Sequence, residues 1–511
     1  MSQQGISRRH FFFGSLLAGA IPAGGYGSVR SLRALGYKPY YEKLNVAAIG
    51  CGGRGEAILN QAASTENIVA LCDVDENRAA DSFRRFAAQP KYKDFRVMLD
   101  KETKNIDACT IGIPDHMHAS AALACMQRGI HVYVEKPLTR TPWESRLLAD
   151  AAVKYKVATQ MGNQGYSHES IRTTAEILWS GEIGDVTEVH VSASPGTHPV
   201  GTQQLPDETS VPSTIDWNQW LGGAGMRPFS LDYVPYNWRG FFDFGTGQLG
   251  NWGIHTLGPV NLALQLGAPT SVEVVSQVET SRWTFPGRAV LKYDFPARGG
   301  LGPVSLYWHD SARPEDPEAY KVPGMENETI LPPSDNLADK GRGPERRSGG
   351  GGGRSGGGPR RAENRAPQGP GGPGVPVYNF ERRSFEQPPG ILAGNGAVFV
   401  GTKGIMATVA RGEGVHLLPA ERWANYELPP QLLTRSPGHM ADWIRACKGG
   451  EPGCSDFSIA APFNEWVVLG VIAMRVPGKL EWDSKSLRFT NSEEANQYVK
   501  PVFREGWELQ L

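Results

Sequence analysis

Gly50-Cys51-Gly52-Gly53-Arg54-Gly55 follows an apolar run at 44–49 and opens a helix-forming stretch at 56–63. The pattern is G-x-G-x-x-G, and it carries weight only between a strand and a helix, which is where it stands here. A second apolar strand at 68–72 ends in Asp73, close to the roughly 20-residue spacing at which an acid meets a ribose. Gly50 permits a tight turn, Gly52 lets the backbone approach a pyrophosphate, and Gly55 allows close helix-strand packing. Gly53 and Arg54 complete the loop. Helix N-terminal amides would receive the phosphates. Asp73 is expected to accept hydrogen bonds from the adenosine ribose and to repel a 2′-phosphate. The expected cofactor is therefore NAD rather than NADP, with Arg54 as the residue able to reverse that preference.

The alternation continues through a helix near 76–88, a strand at 107–113, a helix at 116–128 and a strand at 129–137. Such βα repetition predicts a doubly wound parallel sheet over residues 40–160. The last strand ends in Glu135-Lys136-Pro137. Ligands of such sheets lie beyond the carboxyl ends of the strands, so Lys136 projects into the crevice, and Pro137 biases it toward an extended backbone. Pro114, Asp115 and His118 stand at the same edge, where contact with the nicotinamide half of the cofactor or capping by Asp115 is expected. His116 and His118 are two apart on a helix and point in different directions, so no metal is expected. A short strand at 157–160 leads to residues 161–164, where Gln164 is placed to reach cofactor or substrate.

At 511 residues the chain is too long for one ordinary core. Its formal net charge of −1 gives no global reason to expect nucleic acid or an anionic membrane. Ser7-Arg8-Arg9 followed by an apolar, small-residue run at 14–23 has the layout of a twin-arginine export signal, which assigns residues 1–35 to a leader. The run is too short for a permanent membrane span, and the expected location is periplasmic or otherwise extracytoplasmic. The six cysteines lack C-x-x-C or zinc-type spacing. Cys72 and Cys109 read as buried thiols, and Cys447 and Cys454 are close enough in sequence to pair in an oxidising compartment.

The second domain is expected over 161–511. A helix at 170–180 and a strand at 186–193 open it, and His198 lies on a glycine-proline loop, either lining a pocket or facing solvent. Trp238 and Arg239 precede a helix predicted at 248–266, on which Asn251 and His255 are i and i+4 and share a face. Strands are expected at 272–278, 288–293, 304–308, 396–400 and 405–409, helices near 438–447 and 459–475, and a final covering segment formed by 480–489 and the aromatic tail to 511. A glycine-proline-arginine tract at 339–376 cannot bury enough apolar surface to fold. Without interleaved aromatic residues it reads as a flexible insertion rather than an RNA-binding segment.

The twin-arginine leader, the glycine loop, residues 114–118, Glu135-Lys136-Pro137 and Gly253-x-His255 together resemble the Gfo/Idh/MocA oxidoreductases, which act mostly on sugars and cyclitols. The resemblance implies an N-terminal Rossmann domain and a C-terminal α/β domain whose open, mostly antiparallel sheet faces the nicotinamide. It also implies that Lys136 touches both substrate and cofactor, and that Glu135 lies at the cofactor. The family pattern at the later motif begins with aspartate, so Asn251 is a departure from it.

These readings lead to an exported oxidoreductase that moves hydride between NAD and a secondary alcohol of a sugar, cyclitol or glycoside. Lys136, His255 and Asn251 form its catalytic group, and His198, Trp238 and Arg239 its substrate wall. A redox-neutral glycoside hydrolase or lyase using transient oxidation is the first alternative, and a non-catalytic sugar-binding protein the second. The expected partners are the small-molecule substrate, the twin-arginine export machinery and a second subunit joined through the C-terminal sheet.

Overall fold

The computed structural model describes residues 41–332, Leu337 and residues 388–511, so the leader and the tract at 339–376 lie outside the described residues. The first sheet contains β1 (Asn45–Ile49), β2 (Asn67–Cys72), β3 (Lys91–Tyr92), β4 (Ala108–Ile111), β5 (His131–Glu135) and β6 (Thr159–Gly162). Its order is β3-β2-β1-β4-β5-β6 and every pairing is parallel. Strand order reverses between β1 and β4, which puts the ligand crevice above that junction.

Helices α1 (Arg54–Ala62), α2 (Glu76–Arg85), α3 (Phe95–Glu102), α4 (His118–Met126) and α5 (Pro142–Tyr155) cover this sheet. Local chemistry sets their starts. Asp75 caps α2 by accepting from the amides of Asn77 and Arg78, and Thr141 forms a capping box with Glu144 ahead of Pro142 on α5. β3 and α3 were not anticipated, because a two-residue strand carries no periodic signal.

After α6 (Glu169–Ser180), the second sheet comprises β7 (Val186–Ser192), β8 (Ser271–Val278), β9 (Arg288–Phe295), β10 (Val304–Asp310), β11 (Gly396–Gly401), β12 (Ile405–Val409), β13 (Gly414–Leu418), β14 (Lys479–Asp483) and β15 (Arg488–Phe489). Its order is β13-β12-β11-β7-β10-β9-β8-β14-β15, antiparallel except where β7 meets β10. Residues 480–489 of the expected covering segment thus belong largely to the sheet itself. Val322, Met325, Ile330, Leu331 and Leu392 bury Val398, Ile405, Ala407 and Leu418 on the outer face. That part of the face, on which a second subunit was expected, is covered by the chain itself.

The boundary at 160 is not a boundary of the core. Helix α7 (His439–Cys447) returns to the first domain, where Trp443 and Cys447 pack with Val46, Ala48, Leu71 and Tyr133. Beside it, Lys448 Nζ lies 3.1 Å from Glu66 Oε1, both side chains buried. Helix α8 (Phe457–Ala473) packs between α5 and the second sheet, and Tyr293 OH donates to Val467 O at 3.1 Å. No helix among the described residues is long and apolar enough to cross a membrane.

All six cysteines are free. Cys447 is locked in the first core while Cys454 Sγ lies 3.1 Å from Ser167 Oγ, so the 447–454 pairing does not form. The helix predicted at 248–266 is also corrected. It breaks into a π-turn at Leu249–Gly253, a single turn at Ile254–Thr256 and a helix at Gly258–Ala263. A side chain at Gly250 would collide with Thr246 and crowd Pro137, so close approach to the Lys136 strand demands glycine there and the regular helix gives way.

Candidate active site

A cavity of about 450 Å³ opens where the carboxyl ends of the first sheet face the second domain. The glycine loop forms one wall. Gly50 adopts φ 86°, and a Cβ there would lie 2.9 Å from Ile113 Cγ2. Gly52 and Gly53 lie under the Arg78 side chain, and Gly55 sits behind the loop against the backbones of Gly50 and Gly112. Gly50, Gly52 and Arg54 therefore line the cavity, whereas Gly53 and Gly55 shape it from behind. A wall stripped of Cβ atoms at a helix N-terminus fits a dinucleotide pyrophosphate.

Asp73 also lines this end. Its Oδ2 accepts from the Cys51 amide at 2.7 Å and its Oδ1 from the Asp75 amide at 3.0 Å. Burial raises its carboxyl pKa, and the two amides oppose that rise. Arg54 is drawn to Glu135 at 2.8 Å, so the cation acting on Asp73 is Arg78. Asp73→Ala is expected to weaken NAD binding about 10-fold or more, since a charge-assisted hydrogen bond is worth about 1.5–3 kcal/mol, and to erode preference over NADP. Fluorescence titration with both cofactors checks this, and equal affinities in the unmutated protein would contradict it.

The opposite wall meets this one at Lys136. Its Nζ donates to Asn251 O at 2.6 Å and Asn251 Oδ1 at 2.8 Å. Burial, with the nearby Arg239 and Arg411 guanidinium groups, lowers the Lys136 pKa to about 7. Glu135 and Asp115 pull the other way. Gln164 Nε2 donates to Glu135 Oε1 and to Tyr133 OH, each at 3.0 Å, which fixes the carboxylate next to the lysine. Asn251 Nδ2 donates to Gln248 Oε1 at 3.2 Å. His255 lines the cavity with its Nδ1 buried and unpartnered. Burial, Lys136 and Arg411 drive its pKa well below the usual value, leaving a neutral imidazole.

Other expectations are redistributed. Pro114 and Asp115 line the cavity, and Asp115 accepts from Thr246 Oγ1 at 2.6 Å instead of capping a helix. His118 does not line it: its ring nitrogens lie 2.7 Å from Pro137 O and 2.8 Å from Ile113 O, so it clamps two strand ends. His116 Nε2 donates to Trp220 O at 3.0 Å. His198 is neither solvent-facing nor on the cavity wall. It is buried beside Gly196, with burial first and Arg239 second lowering its pKa to about 4. Trp238 and Arg239 do line the cavity, and the guanidinium lies 4.2 Å from the ring centroids of both Tyr236 and Trp238.

Two groups of wall residues went unnoticed in the sequence. Arg411 sits in the turn between β12 and β13, with its guanidinium 5.5 Å from the Trp252 ring. Ile215, Gln219 and Trp220 roof the Asp73 end. Their segment is stitched to the first domain by Glu76 N donating to Thr214 O at 3.1 Å and Asp216 N donating to Val74 O at 2.8 Å. Neither group leaves a local sequence signal, because each meets the cavity through contacts between distant segments.

Residues 44–163 match the family model described as "Oxidoreductase family, NAD-binding Rossmann fold", and residues 168–287 match "Oxidoreductase family, C-terminal alpha/beta domain". The chain is 30% identical over 190 residues to inositol 2-dehydrogenase 2 of Saccharopolyspora erythraea, covering 35% of this chain and 54% of that one. It is 31% identical over 117 residues to levoglucosan dehydrogenase of Pseudarthrobacter phenanthrenivorans, covering 23% and 29%. The chain thus spans about half the length, or less, of these curated relatives. The WlbA dehydrogenase from Bordetella pertussis, solved with NADH and UDP-GlcNAcA, superposes with a TM-score of 0.52 at 12% identity over 86% of this chain and 99% of that one. That likeness is one of fold. An NAD-binding Rossmann domain and the adjoining α/β domain of the Gfo/Idh/MocA oxidoreductase models are thus matched in order from residue 44 to residue 287, which is what this part of the chain is similar to.

Proposed function

We propose that the protein oxidises or reduces a secondary alcohol of a sugar or cyclitol with NAD as hydride carrier, and that Lys136 handles the hydroxyl proton. The observation that carries this reading is the Lys136 ammonium, held by Asn251 where the glycine-loop wall meets the second domain and pushed to about 7. When bound, NAD supplies the hydride acceptor or donor. Neutral Lys136 accepts the proton as a hydroxyl becomes a carbonyl, and its ammonium returns it in the reverse direction. His255, already neutral, is suited to orienting the same hydroxyl by a hydrogen bond and poorly suited to holding a lasting positive charge. The relatives named inositol and levoglucosan dehydrogenase support the substrate class. Purified protein offered a panel of sugars, cyclitols and glycosides, with cofactor absorbance and glycoside cleavage followed together, tests it. No change in either readout across the panel, with NAD bound, would remove the reading.

Redox-neutral chemistry is the second reading, favoured by the roof of Ile215, Gln219 and Trp220 over the Asp73 end. A roofed adenosine end suits a cofactor that is retained and regenerated in place. The leader reading supports export by the twin-arginine route, where free NAD is scarce. Little stoichiometric NADH is then expected to accumulate from a single sugar.

Asn251 decides a pH effect. Because its Oδ1 accepts from Lys136 Nζ, Asn251→Asp sets an anion 2.8 Å from the ammonium and is expected to raise the Lys136 pKa first and that of His255 second. The pH at which alcohol oxidation sets in should move upward by about 1 unit or more. An unchanged pH profile in a folded variant would detach Lys136 from the proton step.

A further inference from the structure

The substrate side of the cavity holds an excess of positive charge that its own side chains leave unmatched. Arg239 and Arg411 line it and form no ion pair among the described residues, and Lys136 is held only by the neutral Asn251. Of the two acids nearby, Glu135 is paired with Arg54, and Asp115, which accepts from the Thr246 hydroxyl, acts on Arg239, so one free carboxylate faces the three basic groups Lys136, Arg239 and Arg411. The pyrophosphate of a dinucleotide does not account for the whole excess, because Arg78 already stands at the glycine loop. Arg411 comes from the far wall, on the turn after β12, and projects past Trp252 toward His255. An oxidised nicotinamide would add positive charge to this chamber.

We propose, building on the reading of the site as a sugar oxidoreductase, that the substrate is a sugar bearing an anionic group, a carboxylate or a phosphate ester. Arg411 receives the anion, with Arg239 facing it from the other side of the chamber. Trp252 and Trp238 line the same chamber and hold the two guanidinium groups against their rings. Arginine suits this task because its fork matches the two oxygens of a carboxylate or phosphate and stays charged while lysine titrates. Burial and the two guanidinium groups lower the Lys136 pKa. A bound anion would partly offset that push, so binding of the right substrate would itself raise the proton affinity of the lysine.

The test uses the full-length protein loaded with NADH. Tryptophan fluorescence is titrated with glucuronate, glucose 6-phosphate, glucose and myo-inositol, and kcat/KM is measured for each in the presence of cofactor. The expected result is binding of at least one anionic sugar about 10-fold or more tighter than its neutral counterpart, with the preference shrinking as salt rises. The carboxylate and phosphate arms identify which anion is taken. Arg411→Ala should lower the affinity for the anionic sugar about 10- to 100-fold and that for glucose much less, with Arg411→Lys recovering part of the loss. NAD binding and the unfolding midpoint confirm that each variant is folded. Equal binding of charged and neutral sugars, or equal losses for both in Arg411→Ala, would overturn the proposal. If no sugar is turned over, the oxidoreductase reading fails while the binding titration still decides the charge preference.

Discussion

Lys136→Met is expected to lower turnover by about 10²–10⁴-fold, the usual contribution of a positioned acid-base group, while leaving NAD affinity within a few-fold of the parent. Lys136→Arg should not rescue it, because a guanidinium stays protonated and cannot accept the hydroxyl proton. The parent should oxidise alcohols with a rate that rises as pH climbs through about 7, where Lys136 becomes neutral, and the Met variant should lose that inflection. Stability supplies an independent check. The folded-state pKa lies below the unfolded value of 10.5, so between about 7 and 10.5 the unfolded chain binds the extra proton. Stability contributed by this group therefore rises with pH across that window and is lost as pH falls toward 7. Below 7 the folded protein carries a charge it tolerates poorly, and Lys136→Met should be no less stable there than the parent. Denaturant unfolding at two pH values reads this directly. A variant that loses activity only because it unfolds would contradict the assignment.

Gly55→Val should be severely damaging. An added Cβ would lie 2.7 Å from the Gly50 carbonyl carbon and 2.9 Å from Gly112 O, and both obstacles are backbone. Neither yields as a flexible side chain would, so α1 must retreat from β1 and β4. Overpacking costs about 1–3 kcal/mol and more where backbone must move, and the loop at the helix N-terminus would be displaced with it. A fall in unfolding free energy of about 3 kcal/mol or more, with NAD binding reduced at least 10-fold, is expected. Gly129→Ala is the control. Gly129 has nothing within 4 Å of its Cβ position, so only its φ of 74° resists the change and the nucleotide site is untouched. Equal losses in the two variants would show that tight packing at Gly55 is not what shapes the loop.

The nucleotide half was legible because its signals are local. Gly50, Gly52, Gly55 and Asp73 fall at fixed spacings, and Glu135-Lys136-Pro137 ends a short strand whose buried side chains announce it. Gly112, which meets Gly55 across the loop, was not singled out, because one glycine at a strand end has no spacing to distinguish it. The substrate half was less legible. The 248–266 segment has helical residues, yet its glycines serve the approach to Pro137 and turn the backbone into a π-turn, so Asn251 bonds Lys136 rather than pairing with His255 on a regular face. His118 was expected at the cofactor because it follows a strand end at the sheet's carboxyl edge, and His198 was left open between lining a pocket and facing solvent on its glycine-proline loop. Burial and backbone carbonyls claim the first, and burial alone the second. Arg411 and Ile215 reach the cavity only through tertiary contacts, which no single stretch of sequence encodes.

The return of α7 to the first domain also sets a timetable. Trp443 and Cys447 complete a core begun by Val46, and Lys448 meets Glu66 across 382 residues of chain. At roughly 5–20 residues per second, the ribosome delivers Lys448 roughly 20–80 s after Glu66. For that interval the nascent nucleotide domain lacks the part of its core that α7 supplies and the cation that meets Glu66. The nucleotide domain is therefore completed only after most of the second domain has been synthesised, which places cofactor loading after that synthesis.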